Sequence, residues 1–220
     1  AVTIMGPRQV GKSTLADAII PKDAKVLEIN GDNTDVQTMF INVDEAKMKV
    51  LIGNKNFLFV DEAQKIENVG NMLKIVAEKF KDVKIIVTGS SAFKLAEAVK
   101  ESLTGRKREF RLYPLSFKEM ADETSTLEES RMIDHRLIYG YYPEVVTSPG
   151  DEKEVLKELI DSYLYKDVME ENHIAKPDKL VKLVQALAFQ IGSTVSANEL
   201  AGLVGIDAKT VERYIEILEK

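Results

Sequence analysis

The sequence contains no cysteine and only two histidines, His135 and His173. Disulfide bonds, thiolate nucleophiles and cysteine-ligated metal sites are therefore excluded, and two histidines argue against a multi-histidine metal site. No apolar run approaches the roughly 18 residues that a membrane helix needs, so we expect a cytoplasmic protein without membrane contact. With 36 acidic against 30 basic residues the net charge is −6, which argues against a surface built throughout to hold nucleic acid.

The sequence does contain enough apolar material for a core, since 45% of its 220 residues are hydrophobic. Length alone predicts one large domain, or one domain with a smaller one. The first half alternates between short apolar runs and helical periodicity, which is typical of an α/β domain with a mostly parallel sheet. We predict strands over residues 1–5, 25–30, 56–60, 83–87 and 109–113, and helices over 15–20, 44–52, 70–80 and 93–103. The chain begins inside a strand pattern and ends inside a helical one, so we expect it to be part of a longer protein.

After about residue 114 the strand signals nearly vanish, and a helix–turn–helix is expected at the end of the chain. Ser196 and Glu199 match a capping box for its first helix. Gly205 would break that helix, and Asp207 would cap the next one. Residues 193–220 hold three basic and five acidic side chains, and this charge of −2 favours a structural or partner-docking role, with DNA contact as the alternative. The preceding pattern predicts helices over 116–139, 151–172 and 177–191.

Gly6 to Ser13 match the phosphate-binding pattern G-x-x-x-x-G-K-[ST], with a predicted strand before it and a helix after it. The glycines let the backbone wrap so that its N–H groups point at phosphate oxygens, and the helix amino terminus adds partial positive charge. Lys12 would reach the β- and γ-phosphates, and Ser13 would bind Mg²⁺. We therefore predict a nucleotide site formed by Gly6, Pro7, Arg8, Gln9, Val10, Gly11, Lys12, Ser13 and Thr14.

A buried-strand pattern that ends in two acids, Asp61 and Glu62, supplies the second half of such a site. Asp61 would hold the Mg²⁺ shell, and Glu62 would accept a proton from an attacking water. Two adjacent carboxylates at a strand end are costly without a cation nearby, which favours a metal role over a solvated acidic turn. A base at this position also favours water over a substrate hydroxyl as the acceptor, which argues against a small-molecule kinase.

Hydroxyl side chains follow the predicted strand over 83–87. If that strand lies between the two motif strands, Ser90 or Thr88 could orient the attacking water. The alternative is an ordinary helix cap, for which Ser91 alone would serve.

A basic run covers residues 106–111, where four basic side chains and one acid give a charge of +3. An arginine here could stabilise negative charge on the γ-phosphate in the transition state. Arg106, beside Gly105, is the first choice, and a solvated basic edge is the alternative. Whether Arg106 acts in its own chain or in a neighbouring copy stays open.

The base of the nucleotide is predicted only by elimination. Guanine recognition would need an Asn-Lys-x-Asp loop after a late strand, whereas Asn54-Lys55-Asn56-Phe57 lacks the aspartate and comes too early. Adenine, and hence ATP with Mg²⁺, is the remaining choice.

Together these segments resemble the prokaryotic AAA-type P-loop ATPases with a winged-helix segment and a C-terminal domain of unknown function, a family related to the archaeal and STAND-like ATPases. The resemblance implies a sheet of strand order 5-1-4-3-2, a catalytic glutamate, and a role for Arg106 in sensing or completing the site. It also implies contact between Pro143 and the base, with Tyr141 standing where related proteins have glycine. The matching segments are GPRQVGKST at 6–14, VDEAQ at 60–64, TGSS at 88–91, LTGR at 103–106, LYPLSF at 112–117, GYYP at 140–143 and SYLYKD at 162–167.

We therefore predict an α/β P-loop NTPase core over residues 1–114, an all-α helical lid region over 115–191 and a partial winged helix over 192–220. The predicted function is Mg²⁺-dependent ATP hydrolysis, slow or stimulated by a partner, in a nucleotide-driven switch whose helical region moves. The alternative is a winged-helix DNA-binding regulator in which nucleotide is mainly a structural ligand. A protein partner or DNA at the last segment, and assembly into an oligomer, stay open. A helicase is disfavoured because a second motor domain does not fit in the remaining residues.

Overall fold

The computed structural model of the protein describes residues 1–89, 105–162, 168, 174 and 176–219. The chain divides into two units, Ala1–Glu152 and Lys153–Lys220. The helix predicted over 93–103 and the candidate residue Ser90 lie outside the described residues, and the three-part division at 114 and 191 stays a prediction. Within the described residues, no helix is both long and apolar enough to cross a membrane.

Among the described residues, five parallel strands form one sheet in the first unit. They are β1 (Val2–Met5), β2 (Val26–Asn30), β3 (Phe57–Asp61), β4 (Lys84–Gly89) and β5 (Arg108–Arg111). Their order across the sheet is β2-β3-β4-β1-β5. Read from the other edge this is 5-1-4-3-2, so the predicted α/β fold class and strand order are confirmed.

Described helices connect the strands from β1 to β4. They are α1 (Lys12–Ile19), α2 (Thr34–Phe40), α3 (Glu45–Ile52) and α4 (Val69–Lys79), and a single 3₁₀ turn, Ala63–Lys65, follows β3. The sequence-based prediction lacks α2, because its polar start also suits a turn. In the structure Asn33 Oδ1 accepts a hydrogen bond from the N–H of Asp35, and this cap begins a helix.

Side chains of the central strands alternate between two apolar clusters, one on each face of the sheet. Leu58 and Val60 of β3 join Val87 of β4 and Leu73 of α4 in the first cluster. The second cluster contains Ile4, Ala16, Phe57, Phe59 and Ile86. Because both faces of β3 and β4 are covered, these strands are continuous apolar runs in the sequence.

The segment after β5 contains short helices, and the single helix predicted over 116–139 is wrong. The backbone angles of Thr124, φ −107° and ψ −91°, are not those of a helix. The Ser125 hydroxyl then accepts a hydrogen bond from the N–H of Glu128 and begins a new helix. The helices are α5 (Phe117–Glu123), α6 (Thr126–Arg131), α7 (Ile133–Tyr139), α8 (Pro143–Thr147) and α9 (Glu152–Ile160).

In the second unit the helices α10 (Pro177–Ala188), α11 (Ala197–Val204) and α12 (Ala208–Glu219) share one apolar core. The predicted helix–turn–helix is present: Gly205 ends α11 in a left-handed conformation, with φ 73°, and Asp207 Oδ1 accepts from the N–H of Thr210 at 2.9 Å. The capping box predicted at Ser196 is wrong, since its side chain makes no cap hydrogen bond within the described residues. The core consists of Val168, Ile174, Leu180, Leu183, Leu200, Val204, Val211 and Tyr214.

Leu200 and Leu203 lie on the same helix, but only Leu200 is fully buried in this core. Truncating Leu200 removes packed methyl groups and leaves a cavity, so Leu200→Ala should lower the free energy of unfolding by about 2–5 kcal/mol. The matched variant Leu203→Ala changes a side chain that is 64% exposed, and it should alter stability by less than about 0.5 kcal/mol. Urea unfolding followed by circular dichroism measures both changes, and equal effects would contradict this assignment of the core.

Candidate functional site

The carboxyl ends of β1, β3 and β4 meet at one edge of the sheet, because these strands are parallel neighbours. In register, Met5 pairs with Gly89 and Val60 with Val87, and the N–H of Gly6 donates to the Gly89 carbonyl at 3.3 Å. The predicted phosphate loop and the acid pair therefore lie at this edge, which we call the carboxyl edge; the opposite edge, where the strands begin, is the amino edge. Crevices at the carboxyl ends of parallel strands are the usual ligand sites of such sheets.

The phosphate loop, residues 6–11, turns from β1 into α1 through two left-handed backbone positions. Gln9 has φ 58° and Gly11 has φ 93°, and α1 begins at the next residue. Gly6 is required for space, since an added Cβ would lie 2.3 Å from the carbonyl oxygen of Leu112. The loop thus wraps the amino end of α1, where N–H groups without intrahelical partners favour an anion.

Lys12 is buried in the site, with only 4% of its surface exposed. Its Nζ donates to the Pro7 carbonyl at 2.7 Å and lies 3.8 Å from Glu62 Oε1. The ammonium group therefore connects the loop to the acid pair and concentrates positive charge where a phosphate would bind.

Asp61 is held by hydroxyl groups from two other parts of the first unit. Ser13 Oγ donates to its carboxylate oxygens at 2.9 Å and 3.1 Å, and the Thr88 hydroxyl donates to Oδ1. The structure thus brings together Ser13 and Asp61, the two predicted metal residues, although 48 positions separate them. A hydroxyl and a carboxylate are the oxygen donors that Mg²⁺ prefers, so this pair fits the ion.

Glu62, the predicted base, has a left-handed backbone conformation with φ 46° and ψ 45°. Such a conformation is uncommon for a residue with a Cβ atom and is held by its surroundings. The N–H of Glu62 donates to the Thr88 hydroxyl oxygen at 3.3 Å, and Gln64 Nε2 donates to Glu62 Oε2 at 2.5 Å. The side chain is 14% exposed, and its other oxygen faces Lys12 beside the phosphate loop.

Gly31 and Gln64 belong to the site, although no sequence motif indicates a role for either. The N–H of Gly31 donates to the Asp61 carbonyl at 2.8 Å, and a Cβ at this position would lie 2.2 Å from the Glu62 carbonyl oxygen. A glycine directly after β2 was the one available sequence signal for this close approach.

Thr88, predicted as an alternative to Ser90 for orienting water, instead contacts Asp61; its role toward water stays a prediction.

Arg106, the arginine expected to stabilise charge on the γ-phosphate, lies at the amino edge and not beside the phosphate loop of its own chain. Its carbonyl accepts a hydrogen bond from the amino group of Ala1 at 2.9 Å, and its guanidinium is 3.5 Å from Glu78 Oε1. Because β5 runs parallel to β1, a residue before β5 must lie where β1 begins. The four residues of β1 place it roughly 13 Å from the loop at 3.3 Å per residue. A role for Arg106 in a neighbouring copy stays a prediction.

Pro143 lies at the first position of α8, after a turn that is attached to the segment following β5. The N–H of Leu115 donates to the Tyr141 carbonyl at 2.9 Å, and the N–H of Leu112 donates to the Met5 carbonyl at 2.7 Å. The turn is therefore tied to the chain that passes the phosphate loop at Gly6. Contact between Pro143 and a nucleotide base stays a prediction.

Tyr141 in that turn joins a small ion-pair network. Arg136 Nε donates to Glu129 Oε1 at 3.1 Å, and the guanidinium lies 5.5 Å from the centre of the Tyr141 ring. Burial and the hydrogen bond with Glu129 raise the pKa of the Tyr141 hydroxyl. The tyrosine therefore anchors the turn to α6 and α7.

Residues 1–121 match a family model described as an AAA domain, and this match covers more than half of the chain. The chain belongs to the AAA domain family. It therefore carries a nucleotide-binding domain of the ATPase type. Residues 130–220 match a domain of unknown function (DUF8612), so the resemblance to AAA-type ATPases with such a C-terminal domain is confirmed.

Relatives of this AAA protein extend beyond the chain. It is 28% identical to the uncharacterized protein MJ1544 of Methanocaldococcus jannaschii, over 97% of this chain and 53% of that protein. It is 27% identical to an uncharacterized protein of Haemophilus influenzae, over 75% of this chain and 44% of that protein. The chain thus spans about half the length of these curated relatives. A crystal structure of a DNA replication initiation factor aligns with 99% of this chain and 81% of its own, with 14% identity and a TM-score of 0.37.

The close approach of Gly31 to Glu62 predicts opposite outcomes for two glycine substitutions. Gly31→Ala would force a Cβ against the Glu62 carbonyl, and it should lower the free energy of unfolding by about 1–3 kcal/mol. Gly202 lies inside α11 with open space around its Cβ position, so Gly202→Ala should raise stability by about 0.5–1 kcal/mol. Thermal and urea unfolding measure both changes. Stabilisation by Gly31→Ala would show that the contact at Glu62 is not tight.

Proposed function

We propose that this chain binds ATP with Mg²⁺ at residues 6–14 and hydrolyses the ATP with Glu62 as general base. The proposal depends on one observation: two distant motifs meet at the carboxyl edge. The Ser13 hydroxyl lies 2.9 Å from the Asp61 carboxylate, and Lys12 lies 3.8 Å from Glu62. A chance lysine in a glycine-rich turn is not expected to be buried beside a carboxylate. Membership of the AAA domain family supports the same assignment.

In this proposal each side chain has one task. Ser13 and Asp61 would hold Mg²⁺, which would supply positive charge at the phosphates. The N–H groups of the loop and the amino end of α1 bind the phosphates. Lys12 would direct its ammonium group at the β- and γ-phosphates, exchanging its 2.7 Å hydrogen bond to the Pro7 carbonyl and its 3.8 Å ion pair with Glu62 for phosphate oxygens. Glu62 Oε1 then accepts the proton of the attacking water.

We also propose that hydrolysis by the chain alone is slow and that the helical region responds to nucleotide state. The position of Arg106 at the amino edge supports slow hydrolysis, because an arginine at the γ-phosphate raises the rate of hydrolysis by about 10³–10⁵. The hydrogen bonds from Leu112 to Met5 and from Leu115 to Tyr141 connect the strand before the loop to the helical region. DNA contact by the last segment stays the alternative. The alternation of Lys209 and Arg213 with acids in α12 favours a structural or partner-docking role for it.

Lys12→Ala should weaken ATP binding in the presence of Mg²⁺ by at least about tenfold, because it removes the cation that faces the phosphates. Titration calorimetry measures the affinity. Lys22→Ala is the matched control, since Lys22 is exposed after α1, and it should bind ATP like the wild type. Unchanged Mg²⁺-dependent binding by Lys12→Ala would rule out the proposed site.

Glu62→Gln should lower kcat for ATP hydrolysis by about 10²–10⁴, because an amide cannot accept the proton. ATP affinity should stay within about threefold, because the phosphate loop is intact. The control is Glu67→Gln, at an exposed acid shortly after the same strand, which should hydrolyse ATP normally. Phosphate release measures the rate, and wild-type turnover by Glu62→Gln would exclude this residue as the base.

A further inference from the structure

We propose that Gln64 is a positioning residue that directs the carboxylate of Glu62 toward the phosphate loop. The inference rests on the proposed hydrolysis, because Gln64 would act only through Glu62. It extends that proposal by naming the group that orients the base.

The two oxygens of the Glu62 carboxylate have different partners. Gln64 Nε2 donates to Oε2 at 2.5 Å, while Oε1 lies 3.8 Å from the Lys12 ammonium. Rotation of the carboxylate would break the short hydrogen bond to Gln64. The amide thus leaves Oε1 as the oxygen that faces the loop, where a water attacking a phosphate would have to lie.

The backbone between Glu62 and Gln64 is held firmly enough to transmit this orientation. The N–H of Lys65 donates to the Glu62 carbonyl at 3.0 Å, and the N–H of Ile66 donates to the Ala63 carbonyl at 3.1 Å. Ala63 is fully buried and Ile66 nearly so, both within the first apolar cluster of the sheet. Gln64 therefore extends from a 3₁₀ turn that the core keeps in place.

The orientation of the Gln64 amide is set by Glu62. Its Oε1 is buried without a hydrogen-bond partner in the described part of the chain, which is an unfavourable arrangement for an acceptor. Turning the amide over would place that oxygen against the Glu62 carboxylate, which is worse. The Gln64 amide therefore leaves one buried oxygen without a partner while its N–H donates to the base. We expect this arrangement for a group that positions the base.

Two variants test this role. Gln64→Ala removes the side chain, and Gln64→Glu keeps its size but replaces the N–H donor with a second carboxylate. Both should lower kcat about 10–100-fold, because a misplaced catalytic group loses rate on this scale, while KM for ATP should change less than about threefold. The matched control is Gln190→Ala: Gln190 is half-buried like Gln64, but it belongs to the second unit and is not a residue of the site. Its kcat should stay within about threefold of the wild type.

A second measurement separates positioning from a general structural role. In a Glu62→Gln background, single-turnover hydrolysis should not fall further when Gln64→Ala is added, because the orienting group has no base left to orient. A multiplicative loss in the double variant, or a loss of ATP affinity as large as the loss in kcat, would overturn the positioning role. Normal kcat in both Gln64 variants with inactive Glu62→Gln would overturn it while the proposed function stands. Normal hydrolysis by Glu62→Gln would overturn both.

Discussion

The carboxylate of Asp61 joins three parts of the first unit at one point. It ends a strand whose other residues are buried, so its charge needs hydrogen-bond partners. Ser13 at the start of α1 and Thr88 at the end of β4 supply them. Because Ser13 comes two residues after the phosphate loop and Glu62 follows Asp61, this contact brings the loop close to the predicted base. The position of Lys12 between them follows from the same arrangement.

The parallel sheet decides which residues can take part in this site. Residues that follow β1, β3 and β4 reach the carboxyl edge, whereas residues that precede a strand lie at the amino edge. Arg106 illustrates this rule. Its basic neighbours and the adjacent Gly105 suggest a contact with phosphate. Its position before β5 places it beside Ala1 and Glu78 instead. Strand direction therefore outweighs local charge in assigning residues to such a site.

The features that the sequence predicted are those encoded by local patterns. Buried strands are continuous apolar runs, the loop is a spaced glycine pattern, and helix caps such as Asp207 lie beside the helix they begin. What the sequence did not predict depends on contacts between distant segments. The requirement for glycine at position 31 arises from the Glu62 carbonyl, and the role inferred for Gln64 arises from the turn after β3. The sequence does not predict the break of the helix after Glu123, because apolar periodicity continues across Ser125, the residue that caps the next helix.

The most direct test of the role of Asp61 is to titrate the wild type and Asp61→Asn with ATP, each with and without Mg²⁺. The variant keeps the shape of the side chain but lacks its negative charge. We predict that Mg²⁺ tightens ATP binding by the wild type and has little effect on the variant, because the ion would be held through Ser13 and Asp61. An equal Mg²⁺-dependent gain in the two proteins would contradict the assignment of this carboxylate to the metal site.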